Sequence, residues 1–230
     1  MIPCTATAAE VIERLATVRS RIEQAGGDPD AVTVLAVTKG FDRSAVDRAV
    51  EAGLVDLGEN YAQELLAKAP DAPAGVRWHA IGRLQRNKVR QLAPHVAVWQ
   101  SVDRAELGAE IARRAPGATV LVQVNVTGEP QKGGCEPSDL GPLVADLRSD
   151  GLAVTGLMAV GVAGPAEAAR PGFARLRQLA DELALPVRSM GMSADLEAAV
   201  AEGSTMVRIG TALFGSRAPG PRGEAVGMGN

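Results

Sequence analysis

Short runs rich in β-branched residues alternate with helical runs along most of this chain, and that alternation limits the fold more than any other feature. Strands are expected near Val32–Thr38, Val55–Gly58, Arg77–Ile81, Val98–Val102, Thr119–Val126, Val154–Val160, Val187–Met190 and Met206–Ile209. Amphipathic helices are expected near Arg43–Ala52, Ala62–Ala69, Arg86–Ala93, Arg104–Arg114, Pro137–Asp150, Pro165–Leu185 and Ala194–Ala201. A further helix leads. Thr7 and Glu10 have capping-box spacing, Val11, Ile12, Leu15, Val18 and Ile22 recur at helical intervals, and Gly26-Gly27 ends the run. Strict β-then-α order implies parallel strands joined by helical crossovers. Eight such units in 230 residues predict a single α/β domain, a (β/α)8 TIM barrel with an extra N-terminal helix. The barrel is expected over 1–215, and 216–230, rich in Gly and Pro without periodicity, as a flexible tail. A doubly wound sheet is the alternative. Its dinucleotide fingerprint is missing, because the first turn reads Lys39-Gly40-Phe41-Asp42 rather than GxGxxG.

The fifth strand favours a barrel. Val120, Val122, Val124 and Val126 form one aliphatic face, and Thr119, Leu121, Gln123 and Asn125 form the other. One face suits a helical layer and the other a barrel interior. Composition excludes partners. Aromatics are 3% of residues, too few to build stacking platforms for single-stranded nucleic acid. A net charge of −3 gives no basic footprint for nucleic acid or an anionic membrane. No apolar stretch is long enough to span a bilayer, and MIPCTATAAEVIERL lacks the regions of a signal peptide. Cys4 and Cys135 stand apart without metal-ligand spacing, so no metal site is expected. Free thiols fit a cytoplasmic protein.

In such a barrel the working residues lie at the C-terminal strand ends. Those positions hold Lys39, Glu59, Asn60, Gly82, Ser101, Asn125, Met158, Ser193, Gly210 and Thr211. Lys39 closes a nearly apolar run and shares parity with Leu35 and Val37, which points it into the mouth. A desolvated lysine becomes an amine nucleophile suited to aldehydes and ketones. A lysine that only snorkels to solvent is the plain alternative. Ser193, Gly210 and Thr211 follow strands seven and eight, where barrels often cradle phosphate, and they supply hydroxyl and amide donors. Ser193 would serve equally as a helix N-cap. Arg208 sits inside a short apolar strand and needs a partner, either a carboxylate such as Glu59 or an acceptor on a ligand. His79, among apolar neighbours, reads more readily as a satisfied core residue than as a catalyst. The basic segment Gly82–Lys88 is either a steering surface for an anion or a solvated helix start.

These motifs resemble one family. Ala36-Val37-Thr38-Lys39, Gly58-Glu59-Asn60-Tyr61-Ala62-Gln63-Glu64, the run Trp78–Lys88, Gly156-Leu157-Met158, Gly191-Met192-Ser193-Ala194-Asp195 and the run Gly203–Thr211 stand in the order and spacing of the pyridoxal phosphate homeostasis protein family. The fold of that family is similar to the N-terminal barrel of alanine racemase. The resemblance implies pyridoxal 5'-phosphate as cofactor, held by Lys39 as an internal aldimine. It further implies Ser193, Gly210 and Thr211 at the phosphate, Arg208 at the pyridine nitrogen and Asn60 lining the pocket. Thr38-Lys39-Gly40 departs from the Ser-Lys-Thr common there, and Lys132-Gly133-Gly134-Cys135 departs in the loop after strand five.

The resemblance implies a carrier in vitamin B6 homeostasis, with apo pyridoxal phosphate enzymes as acceptors and indirect effects on amino-acid pools. No catalytic residue is assigned. The chain is too short for the second domain that supplies a racemase with its catalytic tyrosine, and its one tyrosine is Tyr61. Without that domain a monomer is expected. An arginine at the ring nitrogen weakens the cofactor as an electron sink. A weak amino-acid racemase is one alternative, and a cofactor-free Schiff-base aldolase using Lys39 is another.

Overall fold

The protein was analysed as a computed structural model, which describes residues 1–216. The expected tail lies outside the described residues except for Ser216. Eight strands close into one parallel barrel in sequence order: β1 (Thr33–Val37), β2 (Asp56–Glu59), β3 (Arg77–Ala80), β4 (Val96–Val102), β5 (Thr119–Gln123), β6 (Ala153–Met158), β7 (Val187–Met192) and β8 (Met206–Ile209). Closure is made by β8 on β1, with Thr33 opposite Met206 and Ala36 opposite Ile209. The helices are α1 (Ala8–Gln24), α2 (Arg43–Glu51), α3 (Ala62–Lys68), α4 (Arg86–Leu92), α5 (Ala105–Arg114), α6 (Leu140–Ser149), α7 (Arg170–Glu182), α8 (Leu196–Ala201) and α9 (Thr211–Phe214). The (β/α)8 barrel read from the sequence is therefore present, and no doubly wound sheet forms.

Element ends differ for local reasons. The fifth strand stops at Gln123 rather than Val126, because Cys135 folds back and bridges Val124. Helix α6 begins at Leu140, after a turn over the segment that Pro137 opens. Ahead of α7, Ala166–Ala169 form a 3-10 turn, so the expected start at Pro165 is not α-helical. Strand β7 runs on to Met192, two residues past the expected end. The sequence reading did not anticipate α9.

Side-chain alternation sorts each strand into two layers. Val120, Val122 and Val124 join the core between strands and helices, as do Val34, Ala36, Leu57 and Val207. Leu35, Leu121 and Met158 are buried on the opposite parity, inside the barrel.

Helix α1 carries its capping box: Thr7 Oγ1 accepts from the Glu10 amide at 3.2 Å, and the Glu10 carboxylate accepts from the Thr7 amide at 2.7 Å. Val11, Leu15, Val18 and Ile22 are buried, whereas Ile12 is half exposed at 50%. The helix belongs to the outer ring, packed against α2, α8 and α9. Arg21 donates to both carboxylate oxygens of Glu197 at 2.6 and 2.9 Å, and Arg14 donates to the Leu213 carbonyl at 3.0 Å. Ahead of it, Ile2 pairs with Phe41 in a parallel bridge. Among the described residues no helix is long and apolar enough to cross a membrane, and no cluster of potential metal ligands occurs.

Cys4 and Cys135 are both buried free thiols. Burial pushes the Cys135 thiol up to about 12. The thiolate is the reactive form, so Cys135 is expected to resist iodoacetamide at pH 8 in the native protein and to react once the chain is unfolded. Peptide mass mapping of the two samples checks this.

Candidate functional site

A cavity of about 470 Å3 opens at the C-terminal ends of the strands. It brings together all six binding residues read from the sequence: Lys39, Asn60, Ser193, Arg208, Gly210 and Thr211. Val37, Ile81, Val160 and Met192 complete the wall with apolar surface.

Lys39 follows β1, and the backbone on both sides of it is clamped. Before it, the Thr38 carbonyl accepts from Lys68 Nζ at 2.9 Å, and Thr38 Oγ1 donates to Glu59 Oε1 at 2.6 Å. After it, the Gly40 amide donates to Glu64 Oε2 at 2.6 Å. Gly40 has φ 81°, in the left-handed region that glycine tolerates best, so glycine in this departure from the family pattern suits its turn. Lys68 Nζ lies 2.6 Å from Glu59 Oε1 and 3.6 Å from Glu64 Oε2. The Lys68 and Glu59 side chains are 1% and 0% exposed, between β2 and α3. Burial raises the Glu59 carboxyl above its ordinary range, with Lys68 and Thr38 pulling the other way. Lys39 Nζ itself donates to Asn60 Oδ1 at 3.4 Å.

Arg208 is buried on β8. Its NH1 donates to the Ser189 carbonyl at 2.6 Å and to Ser189 Oγ at 2.9 Å, and NH2 donates to the Ala159 carbonyl at 2.7 Å. A pairing with Glu59, one of the two alternatives the sequence left open, does not occur. Glu59 has opposite parity to Asn60 on β2 and faces the helix layer, where Lys68 meets it. Burial pulls the Arg208 pKa down to about 10, against the attraction of Asp195, which leaves it cationic at neutral pH. Neutral carbonyls and a hydroxyl hold the guanidinium without cancelling its charge.

At the other end, Ser193 Oγ accepts from the Ala212 amide at 3.2 Å, linking the loop after β7 to the first turn of α9. Ser193 is not the N-cap of α8, as its position had suggested. That place belongs to Asp195, whose Oδ1 accepts from the Met192 amide at 2.6 Å. The Ser193 carbonyl accepts from Arg21 of α1 at 3.0 Å. Gly210 passes close to β1: a Cβ there would lie 3.1 Å from the Val37 carbonyl oxygen.

The other strand-end candidates serve the frame. Ser101 Oγ donates to the Gly82 carbonyl at 2.5 Å, Asn125 Oδ1 accepts from the Gly128 amide at 3.1 Å, and Met158 is buried in the barrel. His79 is a satisfied core residue, between Asp56 and Gln100. The basic segment lines a neighbouring cavity of about 670 Å3, which includes Arg83, Lys88 and Arg104 and shares Asn60 with the first. The sequence reading missed Glu64 and Lys68. Their signal was present: Lys68 falls three residues after buried Leu65 on a helix whose apolar face should hold no lone charge.

The cavity is lined by a lysine, by hydroxyl and amide donors and by a buried cation. Its size falls within the ~300–1,000 Å3 usual for cofactor sites. Fold and site together define a class of (β/α)8 barrels with a lysine after the first strand and hydroxyl and amide donors after the last two. The chain belongs to the alanine racemase N-terminal domain family, whose model matches residues 8–218. It is 44% identical over 221 residues to the pyridoxal phosphate homeostasis protein of Pseudomonas aeruginosa, covering 92% of this chain and 96% of that one. It is 42% identical over 223 residues to the protein of that name from Aquifex aeolicus, covering 89% and 97%. Among solved structures it is similar to PipY of Synechococcus elongatus with pyridoxal phosphate bound, with TM-score 0.79, 34% identity, and 89% and 100% of the two chains covered. Alanine racemase of Clostridium difficile shares the fold at TM-score 0.68 and 12% identity, matching 90% of this chain and 58% of that one.

Lys68→Ala would leave the buried Glu59 carboxylate without its cation. Such cuts cost about 3–5 kcal/mol. The loss is expected in chemical denaturation, and Glu59→Gln in the same chain should restore part of it by removing the orphaned charge.

Proposed function

We propose that this protein binds pyridoxal 5'-phosphate and acts in its homeostasis, holding and releasing the cofactor rather than turning over amino acids. The observation that carries this reading is the convergence of Lys39, Arg208 and the Ser193–Gly210–Thr211 cradle on one cavity. The names of its relatives and the bound ligand of PipY support it.

Pyridoxal phosphate supplies an aldehyde that combines reversibly with primary amines. Lys39 provides that amine, and Asn60 orients it through the 3.4 Å contact. The hydroxyls of Ser193 and Thr211 and the amides of Gly210 and Thr211 face the phosphate. Thr211 is the first residue of α9, so its amide has no carbonyl one turn back to satisfy it. Arg208 meets the pyridine nitrogen. A guanidinium is a donor only, so it favours an unprotonated ring. An unprotonated ring withdraws electrons from a substrate carbon less well than a pyridinium does, which argues for a carrier. The same reading takes the protein as a cytoplasmic monomer with apo pyridoxal phosphate enzymes as acceptors.

Purified protein loaded with the cofactor should be yellow, and borohydride should bleach it while fixing the cofactor mass on the Lys39 peptide. Lys39→Ala should be colourless. A wild type that takes up no pyridoxal phosphate overturns the reading. Ser193→Ala and Thr211→Ala each remove a donor to a charged group, and Kd is expected to rise about 10-fold or more with the fold intact. Unchanged Kd in both would place the phosphate elsewhere. Incubation with each L-amino acid should give no racemisation near the ~1–10³ per second of ordinary enzymes, and transfer to an apo enzyme should proceed.

A further inference from the structure

Beneath the cavity the barrel interior contains a continuous line of polar side chains. Asp56 of β2, His79 of β3, Gln100 of β4 and Ser189 of β7 are all buried, at 7%, 2%, 0% and 0% exposure. Asp56 Oδ1 lies 3.0 Å from His79 Nε2, and Gln100 Nε2 lies 2.7 Å from His79 Nδ1. Ser189 Oγ donates to Gln100 Oε1 at 2.7 Å and accepts from Arg208 NH1 at 2.9 Å. Arg77 donates to the other Asp56 oxygen.

The bonds run in one direction along the line. Burial raises the Asp56 carboxyl, but hydrogen bonds from His79 and Arg77 outweigh it and hold the group below its usual range. An ionised carboxylate only accepts, so His79 carries its proton on Nε2. The Gln100 amide nitrogen faces Nδ1, which therefore accepts, and the Gln100 oxygen faces Ser189. The Gln100 amide nitrogen also reaches Met206 Sδ at 3.1 Å, consistent with the same orientation. With its proton committed to Gln100, the Ser189 hydroxyl turns a lone pair to Arg208. Each member thus has one role, and reversing any one leaves two donors or two acceptors in contact.

We infer that Gln100 and His79 are positioning residues for Arg208: the chain from Asp56 fixes the orientation of the guanidinium presented to the cofactor cavity. The inference rests on the reading that Arg208 meets the pyridine nitrogen. It gives His79 a task that packing alone does not, since an apolar side chain would fill the same space without directing Ser189.

The test loads wild type, Arg208→Ala, Gln100→Leu, Ser189→Ala and Ser189→Thr with pyridoxal phosphate labelled with 15N in the ring. The ring 15N resonance and Kd are measured, with thermal melts to confirm folding. Arg208→Ala should move the resonance toward the protonated form. Gln100→Leu and Ser189→Ala should move it part of the way and raise Kd by about 3- to 10-fold, the size of one or two lost hydrogen bonds. Ser189→Thr keeps the hydroxyl and should restore the wild-type resonance. If Arg208→Ala shifts the resonance while Gln100→Leu and Ser189→Ala leave resonance and Kd unchanged, the positioning role is overturned and the ring-nitrogen contact stands. If Arg208→Ala leaves the resonance unmoved, the ring-nitrogen reading fails and this inference with it. Should Gln100→Leu not fold, Ser189→Ala still decides.

Discussion

The buried contact between Lys68 and Glu59 is the constraint on which the site depends. It places two opposite charges in the layer between barrel and helices, and Lys68 spends another donor on the Thr38 carbonyl. A strand end in a barrel mouth is a poor place to fix a long flexible side chain. Here the residues before and after Lys39 are gripped from α3 and β2, so the lysine leaves a rigid turn. A buried ion pair adds little net stability over an apolar pair of the same volume. Its value here is geometric, because an apolar pair could not hold the Thr38 carbonyl and hydroxyl together.

The barrel closes by joining its last strand to its first, and the site exploits that seam. Lys39 follows β1, Arg208 lies on β8, and Gly210 passes within a methyl group's reach of Val37. Residues far apart in sequence thus face one another across neighbouring strands. Arg208 stays cationic among carbonyls, so the cavity keeps a positive floor in a protein of net charge −3. That contrast suits an anionic ligand better than the overall charge suggests.

Much of this was legible in the sequence. The β/α alternation gave the barrel, because parallel strands demand helical returns of recognisable length. Five of the cavity residues, Lys39, Asn60, Ser193, Gly210 and Thr211, stood at strand ends, where parity and fold place working groups, and Arg208 stood out as a charge inside an apolar strand. What could not be read was which partner each buried charge takes. Glu59 and Arg208 both needed one, and a pairing between them was reasonable by composition. Strand parity separates them, but the boundary of β2 was expected one residue short of Glu59, so its face was not evident. The alternative that Ser193 caps α8 failed because the helix starts later, with Asp195 at the N-cap position. The interior chain through Gln100 and Ser189 joins β4 to β7, and no local pattern reports a contact across a barrel.

The placement of α1 has a consequence for how the molecule is made. This helix precedes the barrel in the chain, yet Arg14 and Arg21 bond to groups 199 and 172 residues later. One of those groups is the carbonyl of Ser193, which lines the cavity. The barrel seam adds the same demand, since β1 must wait for β8. Such distant pairings slow folding, because the entropy of closing the loop is lost before the contacts form. The half-made chain therefore holds Lys39 without the loops after β7 and β8, and the cavity takes shape only with the last βα unit.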